Sequence, residues 1–225
     1  MDKEIENRNT MIHLLSEKNS ILNQFVAEIR DEHIQQDRMR FRRNLERIGE
    51  IAAYELSKTL NYVEKEVVTP LGTAWTYVLN EQPVIGTILR AGLPLHQGLL
   101  NYFDHADNAF VSAYRKHHKD GSFDIHVEYL SAPSLQDRVL ILTDPMLASG
   151  QSMVQTLRAL IERGRPSVIH IVTAIACTEG IEYLKGHLPL SFHLWAAAID
   201  EELTAQAYIV PGLGDAGDLA YGAKS

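Results

Sequence analysis

One cysteine, Cys177, stands in a chain of 225 residues, so no internal disulfide is possible. A lone thiol in an apolar run suits a reducing compartment. No stretch approaches the roughly 18 consecutive apolar residues of a membrane span. The polar N-terminus, MDKEIENRNT, has no apolar signal core behind it, so the cytoplasm is the expected location. Positive charge is also scarce. Against 29 Asp and Glu there are 21 Lys and Arg, and the formal net charge of -8 excludes non-specific attraction to nucleic acid or to an anionic membrane. An anionic substrate must therefore be met by a local concentration of cations or backbone donors. Internal repeats, low-complexity tracts and Pro/Gly-rich linkers are lacking too. A single domain over residues 1–225 is expected, with enough apolar residues (45%) for a full core.

The pattern along the chain divides near residue 60. The first 18 or so residues are polar and read as loosely held. From Ser20 onward, Ile21, Leu22, Phe25, Val26 and Ile29 share one helical face, with Asn19 or Ser20 as N-cap. A longer helix is predicted over 36–60, where Phe41, Leu45, Ile48, Ala52 and Leu56 recur at three- and four-residue steps. Its basic run, Arg38 to Arg47, reads as a helix face at a subunit contact and not as an RNA patch, given the acidic chain.

After Thr69-Pro70, apolar runs of strand length alternate with helical segments. Strands are predicted over 84–89, 109–114, 138–143, 168–176 and 192–199, and helices over 93–103, 151–163 and 179–187. Continuous apolar strands separated by helices predict an α/β fold, a parallel sheet covered on both faces, with residues 1–60 as an N-terminal helical appendage to a core over 61–225. Residues 116–124 are polar and contain Gly121, so they read as a mobile arm between two strands. In such a sheet ligands bind beyond the carboxyl ends of the strands. Three polar clusters are predicted there: Arg90-Ala91-Gly92, Tyr114-Arg115, and Asp144 onward.

The stretch VLILTDPMLASGQS, residues 139–152, carries the most chemistry. A buried strand delivers Asp144 to the sheet edge, and the chain turns through Ala148-Ser149-Gly150 into a helix near Gln151. Unpaired N–H groups at a helix start, with small residues permitting close approach, form an anion nest. The hydroxyls of Ser149 and Ser152 add donors, and Asp144 is suited to accept from two sugar hydroxyls. A phosphate beside a diol is a ribose 5-phosphate. The stretch contains no lysine, so it is no Walker-type loop, and it lacks the GxGxxG dinucleotide turn.

This segment resembles the loop with which phosphoribosyltransferases bind phosphoribosyl pyrophosphate (PRPP), and its DPMLASG form resembles the uracil phosphoribosyltransferase family. Ser149 replaces a threonine of the family pattern and keeps the hydroxyl. Gln151 replaces a glycine and, early in the helix, can point outward. The resemblance implies PRPP contacts from Asp144, Pro145, Met146, Leu147, Ala148, Ser149, Gly150, Gln151 and Ser152. TILRAGL, residues 87–93, resembles the family's pyrophosphate turn, and Tyr114-Arg115 its YR pair, so Arg90 and Arg115 are implied to stabilise the leaving pyrophosphate. YIVPGLGDAGD, residues 208–218, resembles the family's uracil loop, whose exposed main chain reads the base edge-on. Base contacts are implied from Ile209, Gly214, Asp215 and Ala216, with Asp215 also at the PRPP side as a fourth catalytic candidate. The resemblance further implies Mg²⁺ held mainly by substrate and water with no dedicated protein ligands, and a homodimer or higher homo-oligomer.

The arm over 116–133 departs from the family, and its His117 and His118 read as solvated. Cys177 reads as core. Two rival readings stay open on the sequence: a phosphoribosyltransferase for another base, which should lack the 208–218 loop, and a non-catalytic regulator that binds PRPP or a nucleotide on the same scaffold.

Overall fold

A computed structural model of the chain describes the backbone of residues 10–117 and 123–223, and their side chains apart from those of 113–117 and 123–126. In chain order, a short strand β1 (Met11–Leu14) precedes the helices α1 (Ile21–Arg30) and α2 (Arg38–Ser57), and a hairpin follows, β2 (Tyr62–Thr69) and β3 (Gly72–Leu79). The alternating part runs β4 (Val84–Leu89), α3 (Leu93–Leu100), β5 (Asp107–His117), β6 (Phe123–Ser131), β7 (Val139–Thr143), β8 (Met146–Leu147), α4 (Gln151–Ile161), β9 (Val168–Cys177), α5 (Thr178–His187) and β10 (His193–Asp200). The small strands β11 (Glu202–Leu203) and β12 (Ile209–Val210) and the helix α6 (Ala216–Tyr221) complete the chain.

Ser20 starts α1 by accepting from the Leu22 N–H, and Asp37 starts α2 by accepting from the Met39 and Arg40 N–H groups, so both helices begin where a side-chain oxygen satisfies orphan donors. The apolar stripe of α2 is buried throughout, from Phe41 to Leu56. Its basic face is largely engaged within the chain: Arg40 pairs with Glu28, Arg43 with Glu46, and Arg42 donates to the Ala220 carbonyl.

The main sheet has the order β1-β10-β9-β7-β4-β5-β6, with β8 added beside β9. Every pairing in it is parallel except that of β5 with β6. Side chains alternate between its faces. In β7, Ile141 joins the core under α1, α2 and α3, while Leu140 and Leu142 join the core under α4 and α5. The strand order reverses between β4 and β7: the chain runs outward through β5 and β6 on one side and through β9 and β10 on the other. The ends of β4 and β7 lie together, with Thr87 in register with Thr143. A crevice at that reversal is where an open α/β sheet binds ligands.

Three local expectations change. Residues 11–14 are not loose but form the edge strand β1, parallel to β10, with the His13 ring stacked 3.8 Å from that of Trp195. Residues 62–79 form a hairpin of which almost every residue is exposed, so no buried face announces it. Tyr114-Arg115 does not end its strand. Leu89 of β4 pairs with Ser112, and beyond that level β5 continues to His117 paired with β6 alone. Most of the predicted arm is therefore a two-stranded ribbon. Residues 118–122, including His118, lie outside the described residues, as do the side chains of Arg115 and His117.

Candidate active site

The ends of β4 and β7 and the loop from β12 into α6 enclose one cavity of about 530 Å³. Arg90 and Ala91 come from the turn after β4, Asp144, Met146, Ala148 and Ser152 from the segment after β7, and Ile209, Gly214, Asp215 and Ala216 from the late loop. Three of the four blocks singled out in the sequence thus share a single space. For the fourth, Tyr114-Arg115, only the backbone is described.

A smaller notch of about 50 Å³ opens beside it, lined by Asp144, Leu147, Ser149, Gly150 and Ser152 among others. Gly150 is the N-cap of α4 at φ 77, a left-handed conformation that suits glycine, and a Cβ there would come within 2.7 Å of the Gly180 carbonyl. No side chain caps α4, so the N–H groups of its first turn are free of a capping oxygen and the positive end of the helix dipole faces the notch. The uncapped helix start, entered through a left-handed glycine, is the local geometry expected from the sequence. Gln151 lines neither cavity. Pro145 lines neither as well. Its carbonyl accepts from the Ala174 and Ile175 N–H groups of β9, so it fixes the loop to the sheet.

Asp144 is only partly exposed, and the protein packed around its carboxyl disfavours the charged form. This desolvation pushes its pKa up to about 7, against a smaller downward effect of the Met146 N–H that it accepts from. Asp144 is therefore poised between its two protonation states near neutrality.

Arg90 is held at the rim. Its Nη2 donates to Asp218 Oδ1 at 3.1 Å and to the Gly222 carbonyl at 2.6 Å, while its buried Nε has no partner. Asp215 caps α6, accepting from the Asp218 N–H at 2.9 Å, and also lines the cavity. Ile209 is buried, whereas Gly214 and Asp215 are exposed along the cavity wall. A Cβ placed on Gly214 would meet nothing within 4 Å, so its neighbourhood is open space.

Two features of the site have no signal in the sequence. Gly180, at the start of α5, lets the notch close against that helix: any Cβ there would collide with the Ala148 carbonyl. Asp200, at the end of β10, binds Arg30 and the Gly212 N–H.

The uncapped helix start, the Asp144 carboxyl beside it and the late loop opposite are thus brought to one place. The sequence profile of uracil phosphoribosyltransferase matches residues 16–223. The chain belongs to the uracil phosphoribosyltransferase family. Among relatives in that family, a uracil phosphoribosyltransferase of Porphyromonas gingivalis is 53% identical over 214 residues, covering 95% of this chain and 99% of the relative. One from Thermococcus gammatolerans is 37% identical over 210 residues, covering 92% of both. A solved structure, the AQ2163 protein from Aquifex aeolicus, matches with a TM-score of 0.82 at 30% identity over 94% of this chain and 98% of that one. For a member of the uracil phosphoribosyltransferase family, Mg²⁺ is the implied ion. Among the described residues no group of three or more His, Cys, Asp or Glu could hold a metal, whereas Asp144 and Asp215 both line the cavity. This donor set fits an ion that arrives with its substrate and keeps several waters. No helix among the described residues is long and apolar enough to cross a membrane.

Proposed function

We propose that the protein transfers the 5-phosphoribosyl group of PRPP to N1 of uracil, releasing pyrophosphate and forming UMP. The observation that carries this reading is the opening of the uncapped α4 terminus, with Asp144 beside it, into the same cavity as the main chain of 209–216. The notch takes the 5-phosphate on the first-turn N–H groups and the Ser149 and Ser152 hydroxyls. Asp144, as carboxylate, accepts from the two ribose hydroxyls. The late loop presents main-chain donors and acceptors to the edge of uracil and turns N1 toward the anomeric carbon.

Displacement there builds positive charge on the sugar and negative charge on the departing pyrophosphate. Arg90, with an unused Nε, and Arg115, on the ribbon, stabilise the leaving group. The work is positioning and electrostatic, and no acid/base pair is required. Asp144 and Asp215, both on the cavity wall, would face a Mg²⁺ carried in mainly by substrate and water, and that ion would supply charge neutralisation at the pyrophosphate. Asp215 orients the substrate from the cap of α6.

We further infer a cytoplasmic homo-oligomer. The hairpin of β2 and β3 supports assembly: two strands alone are marginal in water, and this pair exposes Val68, Leu71, Trp75 and Tyr77.

The test is pyrophosphate release from PRPP and Mg²⁺ with uracil, cytosine, orotate, hypoxanthine and adenine in separate reactions. Release with uracil alone is expected. Release with another base keeps the PRPP site and overturns the reading of 208–218. PRPP binding without release from any base makes the protein a regulator.

A further inference from the structure

The late loop is held by a charged pair that lines no part of the cavity. Arg30, in the last turn of α1, meets Asp200 at the end of β10 through two parallel bonds, Nη1 to Oδ2 at 2.8 Å and Nη2 to Oδ1 at 2.7 Å. The same two side chains take both main-chain groups of Gly212. Arg30 Nη1 donates to the Gly212 carbonyl at 2.9 Å, and the Gly212 N–H donates to Asp200 Oδ2 at 2.9 Å. Side-chain exposure is 22% for Arg30 and 7% for Asp200, so the cluster is largely shielded from water.

A bidentate Arg–carboxylate pair has a fixed plane. Gly212, bonded to both halves of that plane, cannot rotate about the chain without breaking one bond or the other. Gly214 lies two residues farther on and Ile209 three residues back, so the orientation of their peptide groups is set at Gly212. Burial alone would raise the pKa of Asp200. The bonds from Arg30 and from the Gly212 N–H outweigh it and hold the carboxyl below its usual range, so the clamp stays charged at neutral pH.

We infer that Arg30 and Asp200 are positioning residues for the base, setting through Gly212 the angle at which the loop's main chain meets the heterocycle. The inference rests on the uracil site proposed above. It assigns a role in base recognition to α1, a helix that contributes nothing to the wall of the cavity.

Two variants test it in the full-length protein. Asp200→Asn keeps an acceptor for Gly212 but turns an amide against Arg30. Arg30→Lys, the milder change, keeps the charge but loses the fork, and it holds the test open should Asp200→Asn not fold. Each is expected to raise the KM for uracil about tenfold while the Kd for PRPP, measured by calorimetry, stays within about twofold. Combining them should cost little more than the worse single change, because both break one device. A uracil KM within about twofold of wild type in both variants overturns the inference. So does a parallel loss of PRPP affinity and melting temperature, which would make the pair merely structural. A wild-type protein that turns over no uracil defeats the proposed reaction instead. Amide exchange at Gly212 and Leu213 then reads the clamp by itself: selective loss of protection in the variants sustains it, and unchanged protection sinks it.

Discussion

Asp144 concentrates the chemistry of the site in one carboxyl. Its folded pKa of about 7 lies above the ordinary 3.8, so between those values the folded protein keeps a proton that the unfolded chain has released. Stability from this group is therefore full at acid pH and lost as pH rises through 7. At pH 8, Asp144→Asn should stabilise the free protein by roughly 1–3 kcal/mol, visible as a higher melting temperature. The same change should cut turnover by about 100-fold or more, since the amide loses the negative charge and turns a donating NH₂, in place of an accepting oxygen, toward one of the hydroxyls. PRPP affinity of the wild type should weaken below pH 7, and that limb should be missing from titrations of the variant. A flat pH profile in the wild type would remove Asp144 from the ribose site. At Gly214, open space and φ 93 coincide, so Gly214→Val drives a branched side chain into the cavity and strains the backbone. Uracil binding should be abolished with PRPP binding kept, as calorimetry with each ligand would reveal. Both residues were legible in the sequence. Asp144 follows an apolar strand and precedes small residues, and Gly214 sits among glycines too dense for a helix. Arg30 and Asp200 were not legible, because their meaning lies in a contact across 170 residues.

Elements that bury a face were readable, and elements that do not were missed. The strands β4, β7, β9 and β10 are apolar because both sheet faces are covered, and α2 shows its stripe because one side meets the core. The hairpin of β2 and β3 is exposed along almost all its length, and β1 has only four residues, of which all but His13 are exposed. What holds β1 is a ring cluster at the end of the sheet far from the cavity. His13 stacks on Trp195, and Trp195 Nε1 donates to His170 Nδ1 at 3.1 Å. Burial, with the charges of His193 and His13 adding to it, pushes the pKa of His170 down to about 3 from 6.5. The unfolded chain therefore takes up a proton below pH 6.5 that the folded protein refuses, and stability is lost as pH falls from 6.5 toward 3. By pH 5 the loss from His170 should be about 2 kcal/mol. His170→Gln, which can still accept from Trp195 but does not titrate there, should flatten the acid side of a melting-temperature profile. An unchanged acid slope would place the sensitivity elsewhere.

For the molecule as a whole, the hairpin sets the expected assembly. Trp75 and Tyr77 are 64% and 69% exposed on a ribbon anchored at its base, where Leu79 packs against the core and the Tyr62 hydroxyl donates to the Ser57 carbonyl, and in the homo-oligomer proposed above a second copy would cover them. Sedimentation should find a dimer or larger species for the wild type and a smaller one for Trp75→Arg. Equal sedimentation of the two would take the hairpin out of the interface. The contact between α1 and the base loop carries a different consequence, one of timing. Arg30 precedes Gly212 by 182 residues, so a ribosome releases the arginine long before the glycine it holds. A nascent chain that has emerged only as far as α5 already contains every residue that lines the notch, yet it lacks the late-loop residues that wall the larger cavity. On the function proposed above, the half of the site that would select the base is the last to be made, and it waits on a helix that was among the first.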